Sequence, residues 1–68
     1  PAILNAVNEV AVHAFLSERI RFSAIWELIK IFLDKAELYP GSNLDEILAA
    51  DARVRVEAEG LISSGEYK

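Results

Sequence analysis

Apolar residues return every three or four positions in three separate stretches of this chain, the period of an α-helix with one face turned to a core. In the first stretch Ile3, Val7, Val10 and Ala14 recur at helical spacing, with Leu4, Ala11 and Phe15 beside them. Asn5, Glu9 and His13 mark the opposite stripe. Pro1 suits a helix start, where its missing backbone donor would be unpaired in any case, and the pattern stops near Ser17.

The second stretch runs from about Ser23, which fits an N-cap, to about Ala36. Ile25, Leu28, Ile29 and Phe32 form one face. Trp26, Ile31 and Leu33 widen it until only Glu27, Lys30 and Asp34 remain polar, so this helix is expected to be the central one, with Trp26 in the core. Tyr39-Pro40-Gly41-Ser42 then breaks the pattern with the strongest turn signal in the chain. Asn43 followed by Glu46 forms a capping-box pair that opens a third helix. Its expected apolar face is Leu44, Ile47, Leu48, Val54, Ala58 and Leu61, fading through Gly60 into a polar end.

No strand pattern competes with these helices. The expected fold is all-α, a three-helix segment of a small helical bundle over residues 1–62, with residues 63–68 as a flexible polar tail. Composition adds one tension. The chain has 68 residues, of which 53% are apolar, and a domain of that size buries only about 60% of its unfolded surface. Part of the surplus is expected to face a partner or another domain.

The remaining composition mostly excludes. With no cysteine there is neither a disulfide nor a thiolate. The net charge of −4, spread without runs, argues against nucleic acid, whose binding rests on clustered Lys and Arg. Arg19-Ile20-Arg21-Phe22 joins two helices as a helix-turn-helix would, but beside Glu18 and an acidic third helix it is a poor electrostatic footprint. No window approaches the roughly 20 apolar residues of a membrane span, and no secretory signal is visible, which leaves the cytoplasm as the expected compartment.

Catalytic groups are scarce. His13 with Glu9 offers two metal ligands on one helix face, whereas a catalytic site asks for three and a structural one for four; a solvated histidine is the better expectation. Ser63 and Ser64 beside Gly65 lack a Gly-x-Ser-x-Gly elbow. Glycines at 41, 60 and 65 draw no phosphate loop or dinucleotide fingerprint.

Two polar features sit in awkward places. Asn5, Asn8 and Glu9 crowd the start of a hydrophobic helix, either as a solvated face or as hydrogen-bonding contacts to a neighbouring domain. Asp51 falls on the apolar side of the third helix, where an unpaired carboxylate is costly. Arg55, four residues on, is the nearest partner, and Arg19 or Arg21 are alternatives across the bundle.

These residues also carry a family likeness. Leu4-Asn5-Ala6-Val7-Asn8-Glu9-Val10-Ala11-Val12, with Ala14-Phe15-Leu16 and Ile20-Arg21-Phe22, resembles a signature stretch of the 1-deoxy-D-xylulose 5-phosphate reductoisomerase family. The run from Asn43 to Arg55, including the Asp51 and Arg55 spacing, is similar to that family's final helix. Val7 and Val54 stand where the family pattern has Ala, and Asn43 where it has Ser, none at a position expected to be catalytic.

The resemblance implies a parent enzyme, expected to be a homodimer. It would rearrange 1-deoxy-D-xylulose 5-phosphate and reduce the product with NADPH and a divalent metal, Mg or Mn, giving 2-C-methyl-D-erythritol 4-phosphate for isoprenoid synthesis in the cytoplasm, or in the plastid of a plant or alga. The likeness implies no cofactor on this chain, because the family's nucleotide, metal and phosphate sites and its flap tryptophan lie upstream. It implies a C-terminal bundle entered one or more helices late, joined to the upstream catalytic domain and inactive alone; Asn5, Asn8, Glu9, Asp51 and Arg55 are the structural or interdomain candidates, with Asp51 and Arg55 expected as a structural ion pair. The competing reading is a free-standing three-helix interaction module that binds a partner helix or a second copy of itself.

Overall fold

In the computed structural model, which describes residues 2–68, the first helix, α1 (Ala2–Leu16), presents Ile3, Ala6, Val7, Ala11 and Ala14 on its buried side. Three of these five are alanines, so neighbouring helices approach α1 closely. Both α2 (Ala24–Asp34) and α3 (Leu44–Ser63) pack on it while scarcely meeting each other. Among the described residues there is no strand, and the fold is an all-α small bundle. Pro1, expected at the helix start, lies outside the described residues.

The central helix is therefore α1, not α2 as expected. On α2 the buried side chains are Ala24, Ile25, Leu28 and Phe32, while Trp26 is 62% exposed and Leu33 44%. Trp26 is thus not core: it lies on a second apolar face that none of the described elements covers. The third helix is two-faced as well. Its core line is Ala50, Val54, Ala58 and Ile62, whereas Leu44 and Leu48, expected inside, are 68% and 58% exposed and Leu61 is half-buried. At about 100° per residue, Leu48 sits roughly 200° around the helix from Ala50, so one face cannot hold both. Phe32 and Leu28 are the largest fully buried side chains, with Val7 and Val54 beside them.

The helix ends follow from local chemistry. After α1, the Glu18 N–H donates to the Phe15 carbonyl and the Arg19 N–H to the Ala14 carbonyl, both at 2.9 Å, the paired bonds of a Schellman motif. Glu18 accordingly takes φ 62°, a left-handed conformation that costs a non-glycine residue about 1–2 kcal/mol. The next turn delivers Ile20 into the core. Ser23 precedes α2 but makes no side-chain cap; its hydroxyl accepts from Arg21 Nε at 3.2 Å.

Asn43 does cap α3, its Oδ1 accepting from the Glu46 N–H at 2.9 Å. Glu46 reaches back one residue further than a capping box requires, accepting from the Ser42 N–H at 3.0 Å and from the Ser42 hydroxyl. At Gly41 an added Cβ would come 3.0 Å from Ile47 Cγ1, so the turn there favours glycine. Residues 63–68, expected to fray, are tied back: Arg21 N–H donates to the Tyr67 carbonyl at 2.9 Å, and the Tyr67 ring packs on the core.

Two predictions come from this packing. Phe32→Ala should cost about 3–5 kcal/mol and abolish a cooperative thermal transition by circular dichroism. Trp26→Ala, in dilute solution, should stay within about 0.5 kcal/mol of the parent; an equal loss from both would mean that Trp26 is packed after all. Separately, Glu18→Gly should stabilise the chain, by about 1 kcal/mol at most because glycine also loosens the unfolded state, and a lowered melting temperature would contradict the left-handed cap.

Candidate functional site

Three of the polar groups singled out from sequence, Glu9, Asp51 and Arg55, fall on the seam between α1 and α3. A four-residue spacing places Asp51 and Arg55 on one side of α3, and Glu9 faces them from α1. Arg55 Nε donates to Asp51 Oδ2 at 2.8 Å and Arg55 Nη2 to Glu9 Oε2 at 2.9 Å. Its guanidinium is held above its ordinary value, first by the Asp51 bond and then by Glu9. Asp51 is only partly buried, its side chain 33% exposed. Arg19 and Arg21, the alternative partners for Asp51, go elsewhere: Arg19 Nη1 donates to Glu59 Oε1 at 2.8 Å, and Arg21 Nη2 to the Glu27 carboxylate at 2.7 Å.

Asn5 and Asn8 are exposed on the outer side of α1. The structure thus brings Glu9, Asp51 and Arg55 together and leaves the two amides apart from them. An open hollow of ≈ 400 Å³ runs along the seam, lined by Glu9, Val10, His13, Arg19, Arg55 and Glu59. Its two arginines are already bonded to carboxylates, which leaves little charge to attract an anion. Among the described residues no three His, Asp or Glu side chains group so as to hold a metal ion, and no helix is long and apolar enough to cross a membrane.

A second cluster was not foreseen. Tyr39, in the predicted turn, is buried; its ring tilts against Phe32 with centroids 6.2 Å apart, and the Arg53 guanidinium lies 4.9 Å above it. Its hydroxyl donates to Glu57, which also takes Lys35 Nζ at 3.5 Å. Burial pushes the Tyr39 phenol up to about 12, with the Glu57 bond adding to the rise. The same bond, then Lys35 and Arg53, holds Glu57 below the usual carboxylate range. The cluster fastens the α2–α3 connector to α3 and presents no nucleophile. Only the four-residue spacing of Arg53 and Glu57 signalled it in sequence.

Glu59 allows a pH test. Its hydrogen bonds from Arg19 and then Ser63 bring it from an ordinary 4.5 to about 2. A folded value below the unfolded one means that the ionised form stabilises the fold. That contribution is complete above about pH 4.5 and is lost as pH falls toward 2. The carboxylate is 48% exposed, so solvent screening keeps the effect small. Thermal melts between these limits should show stability falling with acid, less steeply in Glu59→Gln, while identical slopes would exclude the pairing.

Comparison with known proteins adds the family. Residues 1–57 match the family described as DXP reductoisomerase C-terminal domain. The 1-deoxy-D-xylulose 5-phosphate reductoisomerase of Ralstonia pickettii (strain 12J) is 47% identical over 64 residues, which is 94% of this chain and 16% of that protein. The protein of that name from Pseudomonas putida (strain F1) is 53% identical over 55 residues, 81% of this chain and 14% of that protein. The one from Thermodesulfovibrio yellowstonii is 44% identical over 59 residues, 87% of this chain and 16% of that protein. The chain thus spans about one sixth of the length of these relatives. No solved structure matches it. As the likeness in Leu4–Val12 and Asn43–Arg55 implied, the chain belongs to the DXP reductoisomerase C-terminal domain family.

Proposed function

We propose that this chain acts as a structural, non-catalytic C-terminal domain of a 1-deoxy-D-xylulose 5-phosphate reductoisomerase. The parent enzyme on this reading is a cytoplasmic homodimer that uses NADPH and a divalent metal, Mg or Mn, to make 2-C-methyl-D-erythritol 4-phosphate for isoprenoid synthesis. The match of residues 1–57 to a family described as a C-terminal domain carries the reading. The exposed amides Asn5 and Asn8 and the outward Leu44 and Leu48 support it, since they give an upstream catalytic domain both polar and apolar groups to contact.

Neither cofactor fits this chain's residues. The sequence holds no Gly-x-Gly-x-x-Gly run for a dinucleotide, and among the described residues no three His, Asp or Glu side chains converge on a cation site. No catalytic step is assigned to these side chains. Their work on this reading is to hold α1 and α3 in register while the outer faces meet the remainder of the enzyme.

The test is complementation. A Pseudomonas putida reductoisomerase lacking the segment matched here should oxidise NADPH poorly with 1-deoxy-D-xylulose 5-phosphate, and adding this chain should restore activity. The chain alone should show none. Leu48→Asp should weaken the restoration by about tenfold or more, the scale of an interface anchor. Turnover by the chain alone would overturn the non-catalytic role. A truncated enzyme that keeps full activity and never binds the chain would favour the free-standing interaction module.

A further inference from the structure

The residues that follow α3 fold back on the bundle, and one side chain holds them there. Ser64 caps α3, and Gly65 comes next at φ 85°, the left-handed position at which glycine turns a chain off a helix without strain. The Gly65 N–H donates to the Ile62 carbonyl at 3.2 Å, and the Ser64 hydroxyl accepts from the Glu66 N–H at 3.3 Å. This turn sends the Tyr67 ring onto the core and lays the main chain of residues 66–68 beside Arg21.

Arg21 uses every nitrogen of its guanidinium at this place. Nη1 donates to the main-chain oxygens of Glu66 at 3.2 Å and Lys68 at 3.4 Å, while Nη2 donates to the Glu27 carboxylate at 2.7 Å and Nε to the Ser23 hydroxyl at 3.2 Å. The guanidinium also stands 6.0 Å from the centre of the Tyr67 ring, and the Arg21 main-chain N–H donates to the Tyr67 carbonyl at 2.9 Å. On its other side, the Arg21 carbonyl accepts from the Ala24 N–H at 3.0 Å, where α2 opens. One residue thus ties the end of α3 to the start of α2, two helices that otherwise scarcely meet.

These bonds are of a different kind from those inside the helices. The side chains of Arg21 and Glu27 are 41% and 45% exposed and Tyr67 is half-buried, so water competes for each bond. A segment held by exposed hydrogen bonds and few buried contacts opens at a lower free energy than the core. We propose that residues 64–68 are a strap that opens as a unit, with Arg21 as its catch, and that closure of the strap orders the first turn of α2. This conformational device stands on the contacts around Arg21 alone and is independent of the domain role proposed above.

Amide hydrogen exchange of the full chain, read residue by residue by NMR, tests the strap directly. The amide at position 21 should exchange faster than those of Leu28 and Val54 in the core, because opening takes away its acceptor on Tyr67. R21K keeps the charge but loses the planar fork, and should speed exchange at position 21, Ala24 and Ile25 by at least about fivefold. G65A leaves Arg21 in place but forces alanine into a left-handed φ, and should speed the same amides by about five- to thirtyfold. In both variants the core amides of α1 and α3 should keep their parental rates. An amide at position 21 as slow as those of Leu28 and Val54 would overturn the proposal, since the strap would then open only with the whole fold. So would parental rates in R21K, protection lost throughout α1 and α3 in either variant, or a G65A chain in which position 21 speeds up while Ala24 and Ile25 do not.

Discussion

Close packing of two helices on the alanine-rich side of α1 is the constraint on which the rest of the structure depends. Ala6, Ala11 and Ala14 bury little apolar area each, yet they let the backbones of α2 and α3 come near enough for Leu28, Phe32 and Val54 to reach a common interior. Matching small residues on α3, Ala50 and Ala58, keep the second seam equally tight. A core built this way is thin. Its few large side chains carry most of the burial, and a fold of this size has little stability in reserve against the loss of one of them.

Charge plays a different part. Arg55 bridges α3 to Glu9 on α1, and Arg19 reaches from the α1–α2 connector to Glu59. These groups stay substantially exposed, so their attraction is screened and adds little to stability. What they add is register. A helix lined by Ala50, Val54 and Ala58 could slide along an alanine face with little penalty, and ion pairs at two points on the same seam make one longitudinal setting better than its neighbours. Tyr39 does the equivalent for the connector before α3, with its ring in the core and its hydroxyl on Glu57.

Local signals were readable in sequence, while relations between helices were not. The three helices, the Asn43 cap and the Asp51–Arg55 spacing depend on residues within four positions of one another, and helical period alone locates them. Trp26, Leu44 and Leu48 misled because periodicity shows that a face is apolar without showing what covers it. Since α2 and α3 each have two apolar faces, the choice between them rests on α1, whose small residues look unremarkable in a linear pattern. Glu18 was silent for a related reason: a Schellman turn is normally signalled by glycine, and here the chain accepts a strained residue to bring Ile20 inside.

The surplus of apolar surface and the shortage of reactive groups bear on function together. Family membership alone would be compatible with a chain that supplied a catalytic residue or two from its ends. The seam argues otherwise, since the guanidiniums of Arg19 and Arg55, the groups best suited to grip a phosphate, are already held by carboxylates of the same domain. An active site needs charge left unsatisfied until substrate arrives, whereas a scaffold neutralises its own. The unsatisfied feature of this chain is apolar, on the outer sides of α2 and α3. Such surface gains free energy by contact with protein rather than by chemistry on a small molecule, and that physical asymmetry is what supports the proposed interface role over a catalytic one.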